Sequence, residues 1–395
     1  MVDRQVVVAG VGMTPFTKPS AGVDYVQAGV SAARDALADA GVAFPAVDRV
    51  YAGYAYGDSG CGQRISYELG RTALPIFNVN NNCATGSTAL LLAREAIEAG
   101  QAECALVIGV EQMPSGAIVA HYTDRPFAME WTGGKMREIQ GYDPALPGAV
   151  QFFGGAGREY VARFGAGPAT FARIAVKARR HARDNPRAVF RDQLDVEAVL
   201  ASPMIFDPLT RLQCCPPTTG AAAALLMSAE AARRHGVTGA CRIAGQAICS
   251  DAETTFEGAS MMNVVGYDMT RRAARQVYEQ AGIGPEDINL VELHDCFTAN
   301  ELITYEALGL AAEGDAERFI LDGDNSYGGR VVTNPSGGLL AKGHPIGATG
   351  VAQCFELVTQ LRGQAGARQV EGARHALQHN IAPGTACVVT LYTID

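Results

Sequence analysis

The chain has 395 residues, 45 of them Gly and 18 Pro, with 48% apolar and 18% charged side chains. One hydrophobic core rarely grows past about 250–300 residues, so two or three packed units are expected, and the apolar share excludes a disordered chain. Lys and Arg total 32 against 41 Asp and Glu, a net charge of −9, which disfavours nucleic acid and anionic membrane as partners unless one face is locally basic.

No apolar run reaches the ~18–20 residues that cross a bilayer. The opening MVDRQVVVAGVGMTPF is too short in its apolar part for a secretory leader and reads as a first strand. Ten cysteines with no export signal imply reduced thiols and a cytoplasmic location. No Cys or His spacing resembles a zinc site, so no metal is expected.

In chain order, the strand at 5–12 is followed by an amphipathic helix ending in AARDALADAG (32–41), an acidic turn and a β-rich run. CATGSTALLLAREAI (83–97) opens a second helix after an Asn-rich turn, and CALVIGV (104–110) is the next strand. The partner strand GAAAALLMS (220–228) comes about a hundred residues later. The excursion between them, 114–211, carries a predicted helix at 168–185, and its Arg173, Lys177, Arg179, Arg180 and Arg183 read as a solvated helix face.

The pattern then repeats. CRIAGQAI (241–248) is a strand, AARQVYEQAG (273–282) answers 32–41, and HPIGATGVAQCFELV (344–358) answers 83–97. Gly41 and Gly282 are 241 positions apart and Cys83 and His344 261, so 20 extra residues entered between HDCFT (294–298) and Asp324. ALQHNI (376–381) and ACVVTLY (386–392) close the second copy. Strands alternating with helices twice over predict an α/β protein with two helix-covered sheets. The expected units are 1–113 (first half), 114–211 (inserted loop domain), 212–239 (completion of the first half) and 240–395 (second half). A pseudo-two-fold axis would bring Cys83 and His344 face to face at equivalent helix starts.

Four places carry chemistry. Cys83 sits where helix N–H groups and the positive dipole end lower a thiol pKa. His344, in the glycine-dense GGLLAKGHPIGATG (337–350), can take the Cys83 proton and later steady an oxyanion. His294, Asp295 and Cys296 end the run INLVEL, the end of a strand where α/β proteins place their chemistry. Cys296 can exchange a proton with a carbon acid, while Asp295 reads as a structural carboxylate. His379 stands beside Asn380, and the Pro383–Gly384 turn can aim amides into the same cleft.

These residues together resemble the thiolase superfamily, in its sterol carrier protein X branch, over essentially the whole chain. The likeness rests on NNNCATGSTAL (80–90), QFFGGAGREY (151–160), LQCCPPTTGAAAA (212–224), HDCFT (294–298), YGGRVVTNPSGGLLAKGHPIGATG (327–350), LQHN (377–380) and VVTLY (388–392). The resemblance implies a thiolase fold, two repeated halves in a five-layer αβαβα sandwich with a loop domain over the site. It implies a homodimer or homotetramer that cleaves 3-oxoacyl-CoA with coenzyme A as substrate and no permanently bound cofactor, reversibly as a Claisen condensation.

In that family Cys83 matches the acyl-carrying cysteine and His344 the histidine of the Gly-His-Pro box. Cys296 takes the acid/base role, because the C-terminal loop that holds a cysteine in most thiolases reads HNIAPG here. Cys83, His294, Cys296 and His344 are therefore the expected catalytic residues, and His379 and Gly384 the expected coenzyme-binding ones. A fused sterol carrier domain and a peroxisomal Ser-Lys-Leu tail are not expected. Relatives that work as steroid side-chain retro-aldolases lack the nucleophile and both histidines, all present here, which disfavours that alternative and a non-catalytic lipid-binding scaffold alike.

Overall fold

Val6–Met13 (β1) is apolar and buried at every position, as a strand covered on both faces must be. The computed structural model describes residues 4–116, 118 and 122–394. The outermost residues of the expected first and last units, and four residues near the start of the expected loop domain, lie outside the described residues. β1 sits at the middle of a ten-stranded sheet. The other strands are Arg49–Gly53 (β2), Ile76–Val79 (β3), Cys104–Gln112 (β4), Thr219–Ser228 (β5), Cys241–Cys249 (β6), Leu290–Glu292 (β7), Val332–Thr333 (β8), His375–Ala382 (β9) and Ala386–Thr393 (β10).

Their order is β8-β7-β9-β10-β6-β1-β5-β4-β2-β3. Outward from the β6–β1 seam the two sides match strand for strand. On each side the outer three strands are parallel and the inner pairings antiparallel. This is the tandem repeat of the sequence in three dimensions. The two expected sheets are continuous, because β1 and β6 pair at Val7–Arg242 and Val8–Cys241.

The principal helices are Tyr25–Ala40 (α1), Thr85–Glu98 (α2), Glu130–Gln140 (α3), Gly148–Phe164 (α4), Pro168–Ala182 (α5), Tyr267–Ala281 (α6), Thr298–Ala307 (α7), Gly338–Ala341 (α8) and Thr349–Leu361 (α9). α1 covers β1, β4 and β5, and α6 covers β6 and β10. α2 and α9 pack on each other between the two halves. α9 is buried almost all round and α2 over most of its turns, as befits helices enclosed by sheets. Layers of helix, sheet, helix, sheet and helix result.

The starts of α2 and α9 touch backbone to backbone. A Cβ on Gly86 would lie 2.9 Å from the Gly347 carbonyl, and one on Gly350 2.4 Å from the Ser87 nitrogen. Glycine at both places lets the two helix starts approach, and so sets the separation of Cys83 and His344.

α3, α4 and α5 lie between β4 and β5 in sequence. α5 corrects one expectation in part: Arg173, Arg180 and Arg183 are exposed, as a solvated face would be, but Lys177 and Arg179 are buried. Lys177 is 4% exposed and its ammonium meets the Glu301 carboxylate and the Thr333 and Tyr305 hydroxyls. Arg179 is also buried, Arg180 donates to Ser326 Oγ at 2.6 Å, and both ring nitrogens of His181 are bonded to the second half. Lys177, Arg180 and His181 moor α5 to the second half, whereas Arg179 pairs with Asp192 inside the insert. All ten cysteines are free thiols. Among the described residues no helix is long and apolar enough to cross a membrane.

Candidate active site

Cys83 is the second residue before α2. It is half-buried and packs against a small apolar cluster of Ala84, Leu91, Ala382, Ala386 and Val388, which brings the 382–386 turn beside it. His344 ends the tight turn after α8. Its Nε2 lies 3.3 Å from Cys83 Sγ and its Nδ1 2.7 Å from Thr349 Oγ1.

The partners fix the tautomer. Thr349 Oγ1 gives its only proton to the Pro345 carbonyl, at 2.9 Å, so it accepts from His344 Nδ1–H. Nε2 is left with a lone pair aimed at the Cys83 thiol, the arrangement of a general base.

His294 completes the cluster. Its ring stands at 86° to that of His344 with centroids 4.9 Å apart, and ligating atoms of Cys83, His294 and His344 lie within 4.8 Å of one another. A thiol and two imidazoles so close form a conceivable metal site, but the hydrogen bonds beneath argue against it. Gln378 Nε2 donates to the Gly350 carbonyl at 2.7 Å and to Ser87 Oγ at 2.8 Å. Ser87 then donates to Asn380 Oδ1 at 2.8 Å, which turns the Asn380 amide nitrogen to His294 Nδ1 at 3.0 Å. His294 Nδ1 therefore accepts, and Nε2 carries the proton. A protonated nitrogen is no metal ligand, and it suits an oxyanion.

Burial sets the electrostatics. It pushes the Cys83 thiol up to about 12, helped by the nearby Glu111 carboxylate, and holds His344 down to about 3. Burial likewise holds His294 well below the usual histidine range, with His344 and His379 adding to it. The direction is opposite to the expected lowering of the Cys83 pKa: desolvation and the Glu111 carboxylate outweigh the backbone hydrogen bond that favours the thiolate. The resting pair is a neutral thiol and a neutral imidazole.

Cys296, 4% exposed, is raised well above the ordinary thiol range by burial and by the neighbouring thiols Cys215 and Cys83. Its carbonyl accepts from the Cys215 amide at 2.9 Å. Asp295 turns away to accept from the Leu339 amide at 2.7 Å, capping α8 as a structural carboxylate.

His379 does not face this cluster. Its Nε2 lies 3.0 Å from Thr270 Oγ1 on α6, and its Nδ1 accepts from the His294 amide at 3.4 Å. Both ring nitrogens are engaged by protein, so the expected coenzyme contact gives way to a supporting role. Gly384 has φ 72° in the turn beside Cys83, and a Cβ there would lie 2.5 Å from Thr132 Oγ1 of α3. The turn packs against the first helix of the insert.

Residues 6–230 match the family described as "Thiolase, N-terminal domain", and residues 250–391 match "Thiolase C-terminal domain-like". The chain belongs to the thiolase family. This thiolase is 49% identical over 397 residues to sterol carrier protein 2 of Gallus gallus, an alignment covering 100% of the chain and 72% of that protein. It is 36% identical over 387 residues to the benzoylsuccinyl-CoA thiolase subunit BbsB of Thauera aromatica, covering 96% and 94% respectively. Among solved structures, the Ltp2-ChsH2(DUF35) aldolase superposes with a TM-score of 0.84 at 26% identity, covering 99% of this chain and 98% of that one.

Several residues around the candidate site have no role assigned from the sequence, although Asn380 is already singled out there beside His379. Asn380 and Ser87 orient His294, Thr349 orients His344, and Glu111 and Cys215 lie close enough to Cys83 to affect the charges there. Thr349 left a signal as the hydroxyl residue opening α9. Glu111 left one as a carboxylate inside the apolar run CALVIGVEQ.

Proposed function

We propose that this thiolase-family protein is an acyl-CoA C-acyltransferase that cleaves 3-oxoacyl-CoA with coenzyme A through an acyl-Cys83 intermediate, and that runs in reverse as a Claisen condensation. The carrying observation is the 3.3 Å contact between Cys83 Sγ and His344 Nε2, with the Nε2 lone pair facing the thiol.

In the degradative direction His344 Nε2 takes the Cys83 proton as Sγ attacks the 3-keto carbon. The bond between C2 and C3 breaks. Its electron pair becomes the enolate of acetyl-CoA or propanoyl-CoA, and the Cys296 thiol protonates that carbon. His294 Nε2–H and the protonated His344 hold the enolate oxygen. In the second half-reaction a coenzyme A thiol surrenders its proton to the Cys296 thiolate and attacks the Cys83 thioester; collapse releases the acyl-CoA and expels the Cys83 sulfur, which takes back the proton held by His344 Nε2. The tetrahedral oxyanion is held by the Cys83 amide and an amide of the 381–384 turn, donors whose loss costs about 10²–10³ in rate in known cases.

Coenzyme A is substrate here, and the reading calls for no permanently bound cofactor. Likeness to a thiolase subunit named for a CoA thioester supports this substrate class. The expected acyl groups include branched and steroid side chains, and a panel of 3-oxoacyl-CoAs of rising size tests that scope. β3 ends the sheet as an open edge with Phe77 41% exposed, and we place a homodimer or homotetramer contact there, checked by light scattering.

The deciding experiment is mass spectrometry of protein incubated with an acyl-CoA and no free coenzyme A. An acyl adduct on Cys83, absent in Cys83→Ala, is expected, and an unmodified Cys83 under turnover conditions refutes the scheme. Cys296→Ala is expected to acylate normally from a simple thioester yet fail to break a carbon–carbon bond.

The resemblance to an aldolase favours a second reading, retro-aldol cleavage of a steroid side-chain acyl-CoA. Such a lyase forms no thioester on Cys83 and does not consume coenzyme A. Absorbance at the thioester band during incubation with 3-oxoacyl-CoA and coenzyme A separates the two, and separates both from a non-catalytic scaffold.

A further inference from the structure

Glu111 is fully buried near the end of β4, where an apolar residue would be expected. Its carboxylate accepts three backbone N–H groups. Oε2 takes those of Gly347 at 2.8 Å and Ala55 at 3.1 Å, and Oε1 that of Tyr56 at 3.2 Å. Ala55 and Tyr56 follow β2 in the first half, whereas Gly347 stands three residues after His344 in the second.

Gly347 is seated between the ends of β2 and β4. A Cβ on it would lie 2.4 Å from the Val110 carbonyl and 2.9 Å from that of Gly53. The turn around Gly347 is stiff as well. The Pro345 carbonyl accepts from the Ala348 and Thr349 amides at 3.0 and 2.9 Å and from Thr349 Oγ1 at 2.9 Å. Whatever grips Gly347 therefore grips the whole 344–349 turn and the imidazole at its head.

We infer that Glu111 is a positioning residue: its carboxylate clamps the Gly347 amide across the boundary between the two halves and thereby holds His344 Nε2 against the Cys83 thiol. This inference rests on the proposed acyl transfer through Cys83. The Glu111 carboxylate bonds backbone amides rather than the side chains of Cys83 or His344. A misplacement of about 1 Å between reacting groups can cost about 10²-fold in rate, so the clamp acts on the rate of chemistry rather than on binding.

Three variants separate reach from charge. Glu111→Gln can turn its amide oxygen to the Gly347 and Ala55 N–H groups and keep the clamp without the charge. Glu111→Asp keeps the charge but falls one methylene short. Glu111→Ala loses both.

The readouts are the single-turnover rate of Cys83 acylation by an acyl-CoA, KM, and the rate of Cys83 alkylation by iodoacetamide at fixed pH. Glu111→Ala is expected to slow acylation about 100-fold and Glu111→Asp about tenfold, with KM within about threefold of wild type. Glu111→Gln is expected to stay within about fivefold. Alkylation is expected to speed up in Glu111→Gln, because the carboxylate is one of the groups that hold the thiol protonated.

Wild-type acylation rates in Glu111→Ala or Glu111→Asp overturn the clamp, and so does a loss in Glu111→Gln as large as in Glu111→Ala. If Glu111→Ala does not fold, the Gln and Asp variants decide. Absence of any acyl adduct on wild-type Cys83 sinks the acyl-transfer reading instead. Alkylation, which needs no acyl transfer, then still reports on Glu111: no acceleration in Glu111→Gln removes it from the site.

Discussion

His379 and Asn380 are adjacent in β9 and serve opposite faces of the sheet. His379 reaches outward to Thr270 on α6, and Asn380 inward to Ser87 on α2 and to His294. Neighbouring strand residues cannot line the same cleft. Asn380→Ala frees the His294 ring and is expected to lower kcat for carbon–carbon cleavage about 100-fold. His379→Gln is expected to lower stability by about 1–3 kcal/mol with kcat of the folded enzyme changed far less. Steady-state kinetics beside urea unfolding of both variants checks the contrast, and equal kinetic damage would contradict the assignment.

Thr349 is the counterpart for His344. Thr349→Val removes the acceptor that holds the Nδ1 proton and lets the ring rotate or change tautomer. One hydrogen bond contributes about 1 kcal/mol, so acylation of Cys83 is expected to slow about tenfold, with Thr349→Ser close to wild type. Rapid-quench measurement of the first turnover is the check.

The resting site has a distinctive pH signature. With the Cys83 thiol pushed up to about 12 and His344 held down to about 3, both groups are neutral between pH 6 and 9. The thiolate is the reactive form, and its fraction rises about tenfold per pH unit below the thiol pKa. Alkylation of the free enzyme is therefore expected to climb steadily from pH 6 to 9. A plateau across that range would show a preformed thiolate–imidazolium pair.

Lys177 and Glu301 join α5 to α7 out of contact with solvent. Lys177→Met leaves Glu301 as an uncompensated buried charge and is expected to cost about 3–5 kcal/mol. The double variant Lys177→Met, Glu301→Gln is expected to recover part of that loss. Denaturant titration monitors both, and a Lys177→Met protein as stable as wild type would show that the pair adds nothing.

Much of this was legible in the residues themselves. Copies of AARxxxxxAG 241 positions apart exposed the repeat, because an amphipathic helix stopped by glycine is written in local sequence. The small residues after Cys83 and around His344 marked two helix starts able to approach closely. Which of His379 and Asn380 faces inward was decided only by the side of β9 on which His294 lies.

Tertiary structure alone decided the rest. The thiol beside a helix N-terminus promised a lowered pKa, yet burial reversed the sign, and burial depends on what the distant 382–386 turn places against Cys83. The basic stripe of α5 read as solvated throughout, yet Lys177 is buried against Glu301 and Thr333 of the second half. Glu111 stood out only as a carboxylate ending an apolar run, and its role waited on the amide of Gly347, 236 positions away. Local sequence fixes backbone conformation and chemical type within a few residues, whereas desolvation and hydrogen-bond partnership are set by groups that only folding brings together.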